Sequence, residues 1–295
     1  MACVALALSL PSHAAEPPPI QAVATFSILG DLVRQVGGER VQVSVLVGPG
    51  GDAHVFQPKP TDAKTVAAAQ VVFANGLGFE GWITRLLKAA NHRQKPVIVS
   101  EGIRPQKTAD DGHGHSHSAA DPHAWQNPSH TAVYVQNIAK GLCEADAAGC
   151  SSYRQRASAY AVQLEQLHAS NLAAWARIAP AQRKVITHHD AFGYYAQAYG
   201  VQFLSPQGMS TDSEASAQAV VKLIRQVKQE KVRALFLENV SDPRLVEQIA
   251  RETGVKPAGE LFSDSLSSTG GPAATYIDMM RHNTHMLTRA MGTEN

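Results

Sequence analysis

The chain is predicted to be an α/β protein of two lobes, each a mainly parallel sheet flanked by helices, joined by one long rigid helix. Short β-branched runs alternate with helix-period segments in the first half and again in the second, as in parallel sheets covered by helices. Between the two halves, 151–178 holds no Gly or Pro and places apolar residues at helical spacing. At 295 residues the chain can bury two cores of ordinary domain size.

Residues 1–14 read as a secretory signal peptide. The apolar run Val4 to Leu10 is too short to span a bilayer, and Ser12-His13-Ala14 supplies small residues at −3 and −1 of a cleavage site. Cys3 is followed by apolar residues, so plain cleavage is expected rather than lipid attachment; a buried N-terminal strand is the bland alternative. Export would place the protein in the periplasm.

The first lobe spans 15–143. Strands are expected at 22–25, 41–47, 71–74 and 97–99, with helices ending near Gly37-Gly38 and covering 58–69 and 81–90. Asn127-Pro128 reads as the N-cap and first turn of a helix running to Cys143. The connector occupies 144–182. Its helix, 151–178, has no residue at which to hinge; a break near Asn171 is the alternative. The second lobe, 183–295, repeats the alternation: strands at 184–187, 201–204 and 234–237, helices at 191–198, 213–230 and 242–253, and a final helix from about Pro272 to Met291.

Composition excludes several partners. Apolar content is 44%, charged content 17% and formal net charge +1, which gives no electrostatic basis for nucleic acid or an anionic membrane surface. The 13 histidines are the one excess. In an oxidising compartment, Cys143 and Cys150, flanking a short loop, are expected to form a disulfide. Two reduced buried thiols, or metal ligation, are the alternatives.

The histidines fall into two settings. His113, His115 and His117 alternate with Gly and Ser in a polar run, 110–120, that reads as a solvated loop and an auxiliary metal-capture site. His123 lies in the tighter Asp-Pro-His-Ala-Trp, with Trp125 as a buried anchor. His54 follows the 41–47 strand, His188 and His189 follow the 184–187 strand, and Asp264 follows an apolar segment, 258–262. All lie on strand-to-helix connections, the edge where open α/β sheets bind ligands, two in each half. Three imidazoles and one carboxylate suit Zn²⁺. Glu238 and Asn239 end a strand on the same edge, as a loop-fixing pair or as support for the site.

The chain resembles the zinc/manganese substrate-binding proteins of bacterial ABC transporters, whose two lobes are joined by a long helix. The resemblance rests on GGDAHVFQPKPTD (50–62), ANGLGFEGW (74–82), the His-rich run, DPHAWQNP (121–128), THHDAFGYYAQAYG (187–200), FLENVSDPR (236–244) and SDSLSSTGGPAATYIDMMRHN (263–283). It implies His54, His123, His189 and Asp264 as metal ligands. His189 is implied rather than His188 because it immediately precedes Asp-Ala-Phe. Manganese-preferring relatives tend to carry Glu at that third position, so His189 and the His-rich loop resemble the zinc branch. The implied partners are Zn²⁺ and a membrane permease, with a periplasmic metallochaperone as a further expectation and a monomer as the expected state.

A metalloenzyme is the rival class. The chain has no H-E-x-x-H, G-x-S-x-G or Walker loop, and four protein ligands would close a site that catalytic zinc keeps open. No enzymatic activity is expected. A manganese-preferring relative, a metal buffer or an adhesin are the other readings.

Overall fold

The computed structural model describes residues 18–106, 120–230, 232 and 234–292. The expected signal peptide and the tract with His113, His115 and His117 lie outside the described residues. The first sheet comprises β1 (Ile20–Phe26), β2 (Val41–Val47), β3 (Val71–Ala74) and β4 (Val97–Ile98), in the order β2-β1-β3-β4. The second comprises β5 (Lys184–Ile186), β6 (Gln202–Leu204), β7 (Ala234–Glu238) and β8 (Pro257–Leu261), in the order β6-β5-β7-β8. Every pairing is parallel. The two sheets share one topology: the first strand of each lies beside the second on one side and the third on the other. That arrangement creates a crevice at the carboxyl ends where the strand order reverses. β3 is buried at every position, as a strand covered on both faces must be.

In the first lobe, α1 (Ser27–Gly37), α2 (Pro60–Ala68), α3 (Ile83–Ala89) and α4 (Pro128–Ala145) cover the sheet. α4 begins as expected: the Asn127 side chain accepts the Ser129 N–H and Pro128 occupies the first turn. The connector is one unbroken helix, α5 (Cys150–Trp175), of 26 residues, about 39 Å long at 1.5 Å per residue. A disulfide joins Cys143 to Cys150, stapling the end of α4 to the start of α5.

The buried stripe of α5 is Tyr153, Ala157, Tyr160, Leu164, Leu167, Asn171 and Trp175. It differs at one turn from the apolar residues at helical spacing in the sequence, which include Leu172. Asn171 is 3% exposed and Leu172 43%, because the Asn171 amide donates to the Tyr199 hydroxyl. The helix also ends three residues before Ile178. There the Arg183 guanidinium donates to the carbonyls of Trp175, Ile178 and Tyr199 and so satisfies chain-end acceptors.

The second lobe adds α6 (Gly193–Tyr199), α7 (Ala217–Glu230), α8 (Pro243–Thr253) and α9 (Tyr276–Gly292). Its core is divided. One continuous apolar core runs from β1 and α1 through α5 and α9 to Val185, Phe236 and Leu261. A second, smaller core joins Ile186, Leu204 and Leu235 to the inner faces of α7 and α8. Thus α9, last in sequence, is built into the larger core, while α7 and α8 form a separate packing unit. No helix among the described residues is long and apolar enough to cross a membrane.

Candidate metal centre

His54, His123, His189 and Asp264 converge between the lobes, each offering one ligand atom, all within 4.8 Å of one another. Nε2 of His54 lies 3.3 Å from Nε2 of His123 and 3.3 Å from Oδ2 of Asp264. Nε2 of His189 lies 3.1 Å from Asp264 Oδ2, and Nε2 of His123 lies 3.6 Å from Asp264 Oδ1. A tetrahedral ion with ligands at about 2.0–2.1 Å needs ligand atoms about 3.3 Å apart. The four side chains are almost completely withdrawn from solvent.

Each of these side chains is aimed by its surroundings. The Gly48–Gly51 turn carries the chain from β2 to Asp52, whose Oδ1 accepts the His54 N–H at 2.9 Å. Below, the Trp82 indole donates to the Ala53 carbonyl and the Phe79 ring packs edge-on against His54. Asp121 accepts both the His123 backbone N–H and its ring Nδ1–H, at 2.9 and 2.8 Å. Gly193 lets the start of α6 close on that carboxylate, since a Cβ there would fall 2.6 Å from Asp121 Oδ2. Oε2 of Glu238 lies 2.7 Å from His189 Nδ1, while Oε1 accepts the backbone N–H groups of His188 and His189. The Asp121 carboxylate holds the His123 ring proton at Nδ1 and leaves Nε2 facing the centre, and the charge of Glu238 beside His189 Nδ1 favours a proton on that nitrogen.

The electrostatics favour a cation. Burial would lower the pKa of His189, but the Glu238 and Asp264 carboxylates outweigh it and hold the imidazole well above its usual value. Burial would raise Asp264, yet His189 and His123 hold it well below the usual carboxylate range. Glu238 is lowered as well, His189 prevailing over burial. Oδ1 of Asp264 is buried without a hydrogen-bond partner, and two imidazole nitrogens face each other at 3.3 Å. A single ion among these atoms would satisfy all of them.

Chain order assigns two of these residues to each half, but packing does not. The loop bearing Asp264 is fastened to the first lobe on both sides. The Ser263 carbonyl accepts from the Trp125 indole at 3.0 Å and the Gln126 amide at 2.8 Å. The Ser265 hydroxyl accepts the Gly50 N–H at 2.7 Å, and the Leu266 N–H donates to Ser27 Oγ at 2.9 Å. Asp264 is therefore tied to the lobe that carries His54 and His123 as well as to its own, where the Asn239 amide donates to the Ser265 carbonyl at 3.1 Å; His189 stands on the second lobe only.

The other sequence candidates separate clearly. His188 is not among the converging side chains; its Nδ1 is buried without a partner and burial lowers its pKa. Cys143 and Cys150 lie in the disulfide on the α4–α5 junction, away from the cluster. Glu238 is open between two roles in the sequence, and Asp121 carries no role there. The usable signal was a carboxylate two residues before the His of Asp-Pro-His.

The family model described as zinc-uptake complex component A, periplasmic, matches residues 22–290. The chain is 30% identical over 288 residues to the iron-binding protein YfeA of Yersinia pestis, the match covering 98% of this chain and 91% of that one. It is also 30% identical over 267 residues to the metal ABC transporter substrate-binding lipoprotein SloC of Streptococcus mutans, covering 88% and 86%. Among solved structures, the periplasmic zinc binding protein TroA of Treponema pallidum superposes with a TM-score of 0.86 at 29% identity, covering 92% of this chain and 99% of TroA. A Mn-bound periplasmic metal binding protein from Candidatus Liberibacter asiaticus gives 0.80 at 27% identity, covering 92% and 99%.

Proposed function

Because the chain belongs to the family of metal-binding, substrate-binding components of ABC transporters, we propose that its cargo is Zn²⁺, captured in the periplasm between the lobes and passed to a membrane permease. The observation that carries the metal identity is the donor set: three imidazole Nε2 atoms and one carboxylate oxygen within 4.8 Å of one another. Imidazole donors suit Zn²⁺, whereas Mn²⁺ favours oxygen-rich sites and stands lowest in the divalent affinity order. Glu238 and Asp121 fix the His189 and His123 rings for this purpose, as outer carboxylates do at histidine metal sites. His113, His115 and His117 supply weaker, auxiliary capture.

The test is competition on purified, metal-free protein. One equivalent of Zn²⁺ should bind tightly and be retained against a large excess of Mn²⁺ or Fe²⁺, and deletion of 110–119 should leave that equivalent in place. Retention of Mn²⁺ or Fe²⁺ in preference to Zn²⁺ would overturn the cargo assignment. Loss of all tight binding on the deletion would overturn the ligand set. Cu²⁺ is uninformative as a competitor, since it outranks Zn²⁺ at most sites of this kind.

A further inference from the structure

The four converging side chains are shielded from solvent, so an ion enters or leaves only if something covering them moves. The β6–α7 connection is placed to be that cover. At one end, Gln207 forms an isolated parallel bridge with His189, and the Asp190 N–H donates to the Gly208 carbonyl at 3.1 Å. Four residues on, the Thr211 hydroxyl donates to Asp52 Oδ2 at 2.6 Å. The other oxygen of Asp52 holds the His54 N–H. Residues 207–211 therefore run from beside one converging histidine to beside another, across the boundary between the lobes. Gln207 shapes the turn by donating its amide to the Ser213 carbonyl at 2.6 Å.

We propose that residues 207–211 are a strap over the metal site and that the Thr211–Asp52 hydrogen bond is its catch, setting how fast metal enters and leaves. This rests on the metal-capture reading given above and adds a kinetic control to it. The catch is the one hydrogen bond from 207–211 to the first lobe among the described residues, and its acceptor is a carboxylate, which makes it stronger than a neutral pair. The strap belongs to the part of the second lobe served by the smaller core, through Leu204 before it and Val220 after it. Lifting it leaves the larger core, and the three side chains anchored with the first lobe, in place. Asp52 links the strap to the site: the carboxylate that orients His54 is the one the strap grips.

The experiment uses the full chain and Zn²⁺. Release is followed by mixing zinc-loaded protein with excess chromophoric chelator. Capture is followed by Trp125 fluorescence, this indole lying 5.3 Å from the His123 ring between centroids. Thr211→Val, which keeps the shape and removes the hydroxyl, should raise both rates by about tenfold, the scale of one hydrogen bond to a charged group. The dissociation constant should change little. Thr211→Ser should restore both rates. Unchanged rates, or a rise in release alone, would overturn the strap, because a contact that only stabilises the bound form does not hasten entry. If the wild type fails to hold Zn²⁺ but holds another divalent ion, the cargo assignment fails, and the same two rates measured with that ion decide the strap.

Discussion

On one side of the site, His54, His123 and Asp264 stand on backbone tied into the larger core through Trp82, Asp121, Trp125, Gln126 and Ser27. On the other, His189 stands on the end of β5, supported by Glu238 and bordered by the 207–211 segment, with Val185 before it and Ala191 and Phe192 after it in the same core. The two sheets have the same strand order, yet they hold the site unequally. The imbalance arises because the loop after β8 leaves its own sheet to hydrogen-bond with the first lobe. A three-sided platform with a single opposing side chain suits cargo that must be released, since withdrawing that one side chain would open an ion held among the four. A closed tetrahedron on one body would suit a structural ion.

The largest expected effect concerns His189. His189→Ala should weaken zinc binding by well over ~100-fold, beyond the ~10–100-fold typical of an outer partner. His188→Ala, one residue away, should change it by less than about threefold, in keeping with the modest effects of substitutions outside such sites. Isothermal titration of both variants decides; a larger loss at His188 would show that the opposing ligand has been misidentified.

Next come the carboxylates behind the rings. Glu238→Gln and Asp121→Asn should each cost about 10–100-fold in zinc affinity, with Glu238 the more damaging. Glu238 holds two backbone N–H groups, those of His188 and His189, where Asp121 holds one, that of His123, and Gln keeps only one oxygen to serve both those donors and the His189 ring. Asp121 lies where His123 has Trp125 and Phe79 against it as well. Equal losses would mean that the two sides are held equally firmly.

A pH comparison is expected to show a smaller, signed effect. In metal-free protein the His189 pKa is raised, so its contribution to stability is full below the unfolded value of about 6.5 and is lost as pH rises through the folded value. Asp264 is depressed, so its contribution is present above 3.8 and lost only in stronger acid. Together they favour the metal-free fold between about pH 4 and 6.5. Zinc needs neutral imidazoles and favours the bound fold at higher pH. The gain in melting temperature on adding zinc should therefore grow from pH 5.5 to pH 8, and His189→Ala should flatten that growth. A gain independent of pH would contradict imidazole ligation.

Much of this was legible in the sequence, for a physical reason. Parallel strands are buried on both faces, so β3 appears as an unbroken apolar run and β7 as one up to Glu238, and the loops carrying the candidate residues follow strand carboxyl ends. His54, His123, the pair His188 and His189, and Asp264 could be placed at one edge on that basis, while the choice of His189 over His188 came from the family resemblance. What was not legible depends on contacts between distant positions. The Ser263 carbonyl meets Gln126 across 137 residues, and Leu266 meets Ser27 across 239. Nothing local in Ser263-Asp264-Ser265 indicates that the loop is fastened to the other lobe. Asn171 in place of Leu172 on the buried stripe is a similar case, decided by a tyrosine 28 residues away.

The smallest expected effect is an absence of change, and it bears most directly on the contrast between the two sides. α5 is 26 residues with no Gly or Pro, packed along its buried stripe into the core that also contains β1, α4 and α9. Bending it would break that packing over several turns, at a cost far above what one exposed loop contact returns. Zinc should therefore alter amide hydrogen exchange at 188–192 and 207–213, on the lone-ligand side, and leave 150–175 unchanged. The 48–54 turn and the 263–266 loop should gain little protection, being already held by hydrogen bonds within the platform. Exchange measured by mass spectrometry with and without zinc resolves these segments. A change along 150–175, or scattering that reports substantial compaction on adding zinc, would mean that the lobes close as bodies about the connector, and the platform would then be no more fixed than the side that faces it.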